Sequence, residues 1–200
     1  MILTYHNIAL SSKDENTICL LFFIVHLLIL KIKHKRIVFL DEYNPDDKTQ
    51  VVLRFDDGYL NIYKYVAPIL KLFNFKFEIF ISPCFIGKNL YMDLDMLKKI
   101  QHFNCRIQYH ALNHKDLSLI ENEELLDEEI RPSEFFKGNF SDLNFNYIAY
   151  PYWKYNDKAV KIAQKYYKGA LSGNGFSNNT QYALNSIKVL NTINIGENNE

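Results

Sequence analysis

Short apolar runs rich in β-branched and aromatic residues alternate with longer segments of helical periodicity along the whole chain. This alternation restricts the possible folds more than any other feature. Residues 51–55, Val-Val-Leu-Arg-Phe, form the clearest strand, four of the five being β-branched, leucine or aromatic. The run stops at Asp56-Asp57-Gly58. Beyond it Ile62, Val66, Ile69, Leu70 and Phe73 recur at helical spacing over 60–74, and 75–81 reads as the next strand. Further strands are predicted at 2–6, 36–40, 105–109, 147–150, 169–172 and 187–195, with helices at 16–34, 94–103, 121–136 and 157–167. Strand followed by helix, repeated along the chain, calls for a parallel sheet with helices outside it, an open or closed α/β barrel. No internal repeat or linker divides the sequence, which reads as a single domain over 1–196 with a frayed tail at 197–200.

Composition narrows the partners. With 48% apolar residues among 200, the chain can bury a substantial core. Its 23 basic and 23 acidic residues cancel, so net charge alone draws it to neither nucleic acid nor an anionic membrane. Three cysteines, Cys19, Cys84 and Cys105, fit neither a disulfide framework nor a paired-cysteine metal site; Cys84 and Cys105 read as small core residues. Residues 18–30 are strongly apolar but too few for the roughly 20 residues of a spanning helix. They read as a nearly fully buried helix, with contact to a membrane surface through 18–36 as the alternative, because Lys31, Lys33, Lys35 and Arg36 follow. No basic segment precedes an apolar stretch at Met1, so a cytoplasmic location is expected, with a membrane-peripheral one as the alternative.

In parallel α/β folds the working residues gather where strands end at their carboxyl edge. Four such ends carry suitable groups: His6, Asp56-Asp57, His110 with His114, and Pro151-Tyr152. Two adjacent carboxylates repel unless a cation is near, so one can bind a metal while the other acts as a base; the same tripeptide is also a common turn. His110 and His114, four residues apart, fall on one face if that segment is a helical turn, and such a pair also arises by chance. Two histidines and an aspartate make up the three-ligand set of a catalytic zinc-type site.

These residues resemble the polysaccharide deacetylases with the NodB homology domain, carbohydrate esterase family 4. Residues 51–59, Val-Val-Leu-Arg-Phe-Asp-Asp-Gly-Tyr, are similar to the family's first motif, TFDDG(Y). His110-Ala111-Leu112-Asn113-His114 is similar to its second, H(S/T)xxH, with Asp116-Leu117 following. Ala149-Tyr150-Pro151-Tyr152 resembles the third motif in the form found in the poly-N-acetylglucosamine deacetylase branch, as does Tyr5-His6-Asn7-Ile8 at the start. The resemblance implies a distorted (β/α)7-type barrel and one divalent metal, zinc first, with nickel, cobalt or iron as alternatives. It implies Asp57, His110 and His114 as ligands, Asp56 as base and His6 as general acid. It implies that the Tyr152 backbone amide helps to hold the oxyanion in a loop shaped by Pro151. The implied reaction is removal of N-acetyl groups from an amino sugar in a polysaccharide or glycan intermediate, for which a neutral surface is suited. An O-acetyl esterase or cyclic amide hydrolase on the same site, or a glycan-binding protein with weakened turnover, are the alternatives.

The sequence also departs from the family pattern. Arg54 replaces the usual threonine, which predicts a bulkier or more cationic rim. Ala111 lacks the hydroxyl usual between the two histidines. Ala149 stands where many members carry an arginine that tunes the base. Trp153 replaces a common glycine, as a platform for a sugar ring or as a purely structural aromatic. Residues 184–195 lack the LxH motif that supplies the acid in other branches.

Overall fold

The computed structural model describes residues 1–11, 14, 16–140, 145–173 and 180–189. The expected tail at 197–200 and the end of the last expected strand, 190–195, lie outside them. In chain order the strands and helices are β1 (Ile2–Tyr5), β2 (Asn7–Ala9), β3 (Thr17–Cys19), α1 (Leu20–Ile32), β4 (Arg36–Ile37) and β5 (Gln50–Asp56). A π-helical turn, Ile62–Val66, leads into α2 (Ala67–Phe73), followed by β6 (Phe77–Ile81), α3 (Leu94–Ile100), β7 (Cys105–Tyr109), α4 (Glu123–Ile130) and α5 (Glu134–Asn139). The chain continues through β8 (Tyr147–Ala149), α6 (Asp157–Tyr166), β9 (Gly169–Leu171) and β10 (Ile187–Lys188).

The main sheet is parallel throughout and runs β10-β1-β5-β6-β7-β8-β9, with β4 pairing on β5. It curls, as the barrel expectation requires. Between β9 and β10 the segment 181–186 hydrogen-bonds along β9, through Leu184 N–H to Ala170 O (2.9 Å) and Ser172 N–H to Leu184 O (3.0 Å). Partners in register share a face, so alternate residues of each strand point into the curl. Ile2, Val52, Phe80, Ala149 and Leu171 form the inner cluster. Leu3, Leu53, Phe55, Ile79 and Ile107 pack outward against the helices in the larger one.

Several sequence boundaries shift for local reasons. The start of the helix expected at 16–34 is instead β3, which pairs with β2 to form a small separate sheet. The helix expected at 121–136 divides into α4 and α5 at Arg131-Pro132, because proline has no N–H and biases the preceding residue to extended geometry; Arg131 has ψ 141. The π-helical turn just before Pro68 fits the same cause, a missing donor in the ladder. Side chains of Asp93, Asn122, Ser133 and Asn156 accept the first free amides of α3 to α6. Among the described residues no disulfide forms; Cys105 is buried, whereas Cys84 is only half-buried. No described helix is long and apolar enough to cross a membrane.

Candidate metal centre and active site

Parallel strands end together at their carboxyl edge, and the candidate residues meet there. Asp56 closes β5 with Asp57 next to it, His6 follows β1, His110 follows β7, and the turn at 151–153 follows β8. His6, Asp56, Asp57, His110, His114, Tyr152 and Trp153 line one cleft of about 400 Å³. Pro151 is buried in the same turn, which holds Tyr152 and Trp153 in left-handed geometry at φ 56 and 64. The Asp-Asp-Gly segment is a turn as well as a site. Asp57 (φ 68) and Gly58 (φ 78) are both left-handed, and a Cβ on Gly58 would approach Ile81 Cδ1 to 2.6 Å and displace it, so glycine is favoured there.

One ligand atom from each of Asp57, His110 and His114 lies within 4.8 Å of the others. The two histidines do not share a helical turn, as their spacing suggested. They flank an irregular loop in which Ala111 (φ 61) and His114 (φ 54) are left-handed, and this bends the second imidazole back toward the first. His114 Nε2 stands 3.1 Å and His110 Nε2 3.5 Å from Asp57 Oδ1, yet that oxygen is buried and accepts no hydrogen bond. His110 Nδ1 lies 2.7 Å from the Ala149 carbonyl, an obligatory acceptor, so Nδ1 carries the proton and Nε2 turns its lone pair toward the cluster. A carboxylate oxygen without a donor, facing a nitrogen lone pair, is a donor set that a divalent cation satisfies. The residues present therefore fit a metal.

Arg54 does not lie at the rim. Residues 54 and 56 share the inward face of β5, and the Arg54 side chain is fully buried beneath the site. Its Nε donates to Asp56 Oδ1 (2.7 Å), Nη2 to Asp56 Oδ2 (2.6 Å) and Nη1 to Ser186 Oγ (3.0 Å), with the guanidinium 5.1 Å from the Phe80 ring centroid. A buried guanidinium from β5 thus holds both oxygens of Asp56. Strand parity in the Arg-Phe-Asp run was the signal for it.

The loop carrying the histidines is held from two sides. Ser82 Oγ donates to the His110 carbonyl (2.6 Å). The buried Glu129 of α4 accepts from Asn113 N–H (2.8 Å) and Asn113 Nδ2 (2.9 Å) and pairs with Lys115 (2.8 Å). Nothing in the sequence separated Glu129 from the acidic residues around it. Asn16, Tyr150 and Lys188 also line the cleft without having been singled out; Lys188 Nζ donates to Asn16 Oδ1 (2.7 Å). Trp153 is half-buried, lines the cleft, and lies against Gly173 while its carbonyl accepts from Ser172 Oγ (2.7 Å), so it is both wall and structural element.

A curled parallel α/β sheet carries at its carboxyl edge an Asp-His-His cluster whose ligand atoms could hold a metal ion. A family model described as polysaccharide deacetylase matches residues 43–168. The chain belongs to the polysaccharide deacetylase family. Over 161 residues it is 26% identical to YxkH of Bacillus subtilis (strain 168), a protein named for the same family; the match covers 78% of this chain and 57% of that protein's length. Among solved structures it is similar to the deacetylase PplD of Streptococcus pyogenes in complex with acetate, at TM-score 0.83 and 24% identity over 96% of this chain and 92% of that one. It is also similar to a de-N-acetylase from Aggregatibacter actinomycetemcomitans, at TM-score 0.78 and 17% identity over 98% and 95% of the two chains. At these identities the two structures speak for the fold.

Proposed function

We propose that this chain is a metal-dependent hydrolase that removes N-acetyl groups from an N-acetylated amino sugar in a glycan. The observation that carries this reading is the juxtaposition of a metal-competent triad with a second buried carboxylate held by a guanidinium through both oxygens. Asp57, His110 through Nε2, and His114 are the residues to hold the metal, zinc being the first candidate. When bound there, a divalent cation supplies Lewis acidity to the acetyl carbonyl and to the attacking water.

The remaining work falls to the chain's own groups. Asp56 accepts the proton of the attacking water, with Arg54 fixing the orientation of its carboxylate. The Tyr152 backbone amide donates to the developing oxyanion, a contribution of about 3 to 4 kcal/mol for one such donor. His6 delivers a proton to the departing nitrogen. Burial lowers the His6 pKa, opposed by the Asp56 and Asp57 charges, which makes its imidazolium a readier acid. Trp153 and Tyr152, the latter edge-on to His114 at 4.9 Å, form the wall against which a sugar ring would rest.

An amide must gain a proton on nitrogen before the amine leaves, whereas an ester releases an alkoxide with less need of one. Acetate release from N-acetylglucosamine oligomers, measured with and without a chelator and in His6→Ala, tests the reading. Chelator-sensitive release from the amide, lost in His6→Ala, is the expected result. Release only from O-acetyl esters, or glycan binding without any release, would refute it.

A further inference from the structure

α1 departs from the pattern of a surface helix. Its inner residues Phe23, His26, Leu27 and Leu30 are buried, and the opposite stripe of such a helix is ordinarily polar. Here that stripe is Leu21, Val25, Leu28 and Ile32, with Leu21 68%, Leu28 45% and Ile32 73% exposed. Lys31 of α1 reaches toward α2, its Nζ lying 5.6 Å from the ring of Phe73.

The chain segments that carry α1 and α2 hold charges of one sign. Residues 16–40 and 58–77 contain no aspartate or glutamate. Arg36 is paired with Asp47, and Lys35 donates to the Lys48 carbonyl without losing its charge. Lys31, Lys33 and Lys71 have no ion-pair partner among the described residues; Lys31 and Lys71 rest on aromatic rings instead. A net charge of zero for the whole chain thus conceals a basic, apolar side. A second copy of the chain docked here would set these lysines against their own counterparts, whereas phosphate headgroups would neutralise them.

We infer that the outer face of α1, with the cations Lys31, Lys33 and Lys35, seats this protein on an anionic lipid bilayer. A helix of 13 residues is about 20 Å long, too short for a hydrocarbon core of about 30 Å, so it lies in the interface with its apolar stripe among the acyl chains. Asn16, in the cleft wall, precedes the first residue of α1 by one short strand, so the seated helix begins beside the catalytic cleft.

Co-sedimentation of the full chain with vesicles tests this. The protein is expected to sediment with phosphatidylcholine vesicles containing one-third phosphatidylglycerol, to stay in solution with pure phosphatidylcholine, and to be released by high salt. Lys31→Glu/Lys33→Glu should weaken partitioning by more than about 25-fold, at about fivefold for each lysine contribution lost. Leu28→Asp/Ile32→Asp should abolish it, with circular dichroism unchanged because both side chains already face solvent. The inference is overturned if the wild-type chain fails to sediment with anionic vesicles or if neither double variant alters binding. It is overturned equally if the face mediates a dimer that Leu28→Asp/Ile32→Asp dissociates while lipid is ignored. Vesicle binding is read without any activity assay, so its failure would leave the catalytic reading standing.

Discussion

Replacing Arg54 by methionine tests whether the charge beneath the site is needed to hold Asp56. Methionine keeps much of the apolar stem and removes the guanidinium. In the native chain Arg54 is 0% and Asp56 2% exposed at the side chain, joined by two charge-assisted bonds of 2.6 and 2.7 Å. Losing one partner leaves a carboxylate buried, unpaired and adjacent to Asp57, a situation that costs about 3 to 5 kcal/mol. For a chain of this length that is a fall in Tm of roughly 10 °C. Arg36→Met, which breaks the exposed pair with Asp47, should cost no more than about 0.5 kcal/mol and serves as the control. Because neutral asparagine needs no guanidinium, Arg54→Met/Asp56→Asn should recover most of the loss, giving a coupling of at least about 2 kcal/mol in a double-mutant cycle. Urea denaturation of the wild type, Arg54→Met, Asp56→Asn, the double variant and Arg36→Met, followed by circular dichroism, measures all of this. If Arg54→Met costs less than about 1 kcal/mol, or the cycle is additive, the pair does not hold the carboxylate and its role in orienting the base fails.

Three further outcomes follow from other contacts. Glu129→Ala removes the acceptor of two Asn113 bonds that brace the histidine loop and should weaken metal affinity about 10- to 100-fold in a competitive chelator titration, with overall folding retained. Burial pushes the Glu78 carboxyl from 4.5 up to about 7, against bonds from Leu40 N–H and Gln108. The folded state therefore holds that proton more tightly than the unfolded chain, and stability falls as pH rises through this window, by up to about 3 kcal/mol; Glu78→Leu should lack this component when unfolding is compared at pH 5 and pH 8. Gly173→Ala would drive a Cβ into the Trp153 indole and should cost about 1 to 3 kcal/mol in thermal unfolding while altering glycan affinity.

The barrel was legible because strand and helix periods differ and because the strand ends carry polar residues directly after apolar runs. β5 ends in Asp56-Asp57-Gly58 as read, and all the residues singled out at strand ends meet at one cleft or its supporting turn. The small β2–β3 pairing was not legible, since three-residue strands have no periodicity to display. The shape of the histidine loop was not legible because spacing alone cannot distinguish a helical turn from left-handed kinks at Ala111 and His114. Arg54 was misplaced because its motif position was read without the parity of β5, and Glu129 was missed because its partners lie 16 residues away in sequence.

The central claim separates two adjacent carboxylates: Asp57 for the metal, Asp56 for the proton. Metal content and acetate release, measured on the same preparations of wild-type, Asp57→Ala and Asp56→Asn chains, test it most directly. The expected result is metal and turnover in the wild type, neither in Asp57→Ala, and retained metal with turnover reduced at least about 100-fold in Asp56→Asn. Acetate release at the wild-type rate from Asp56→Asn, or metal bound unchanged by Asp57→Ala, would contradict it.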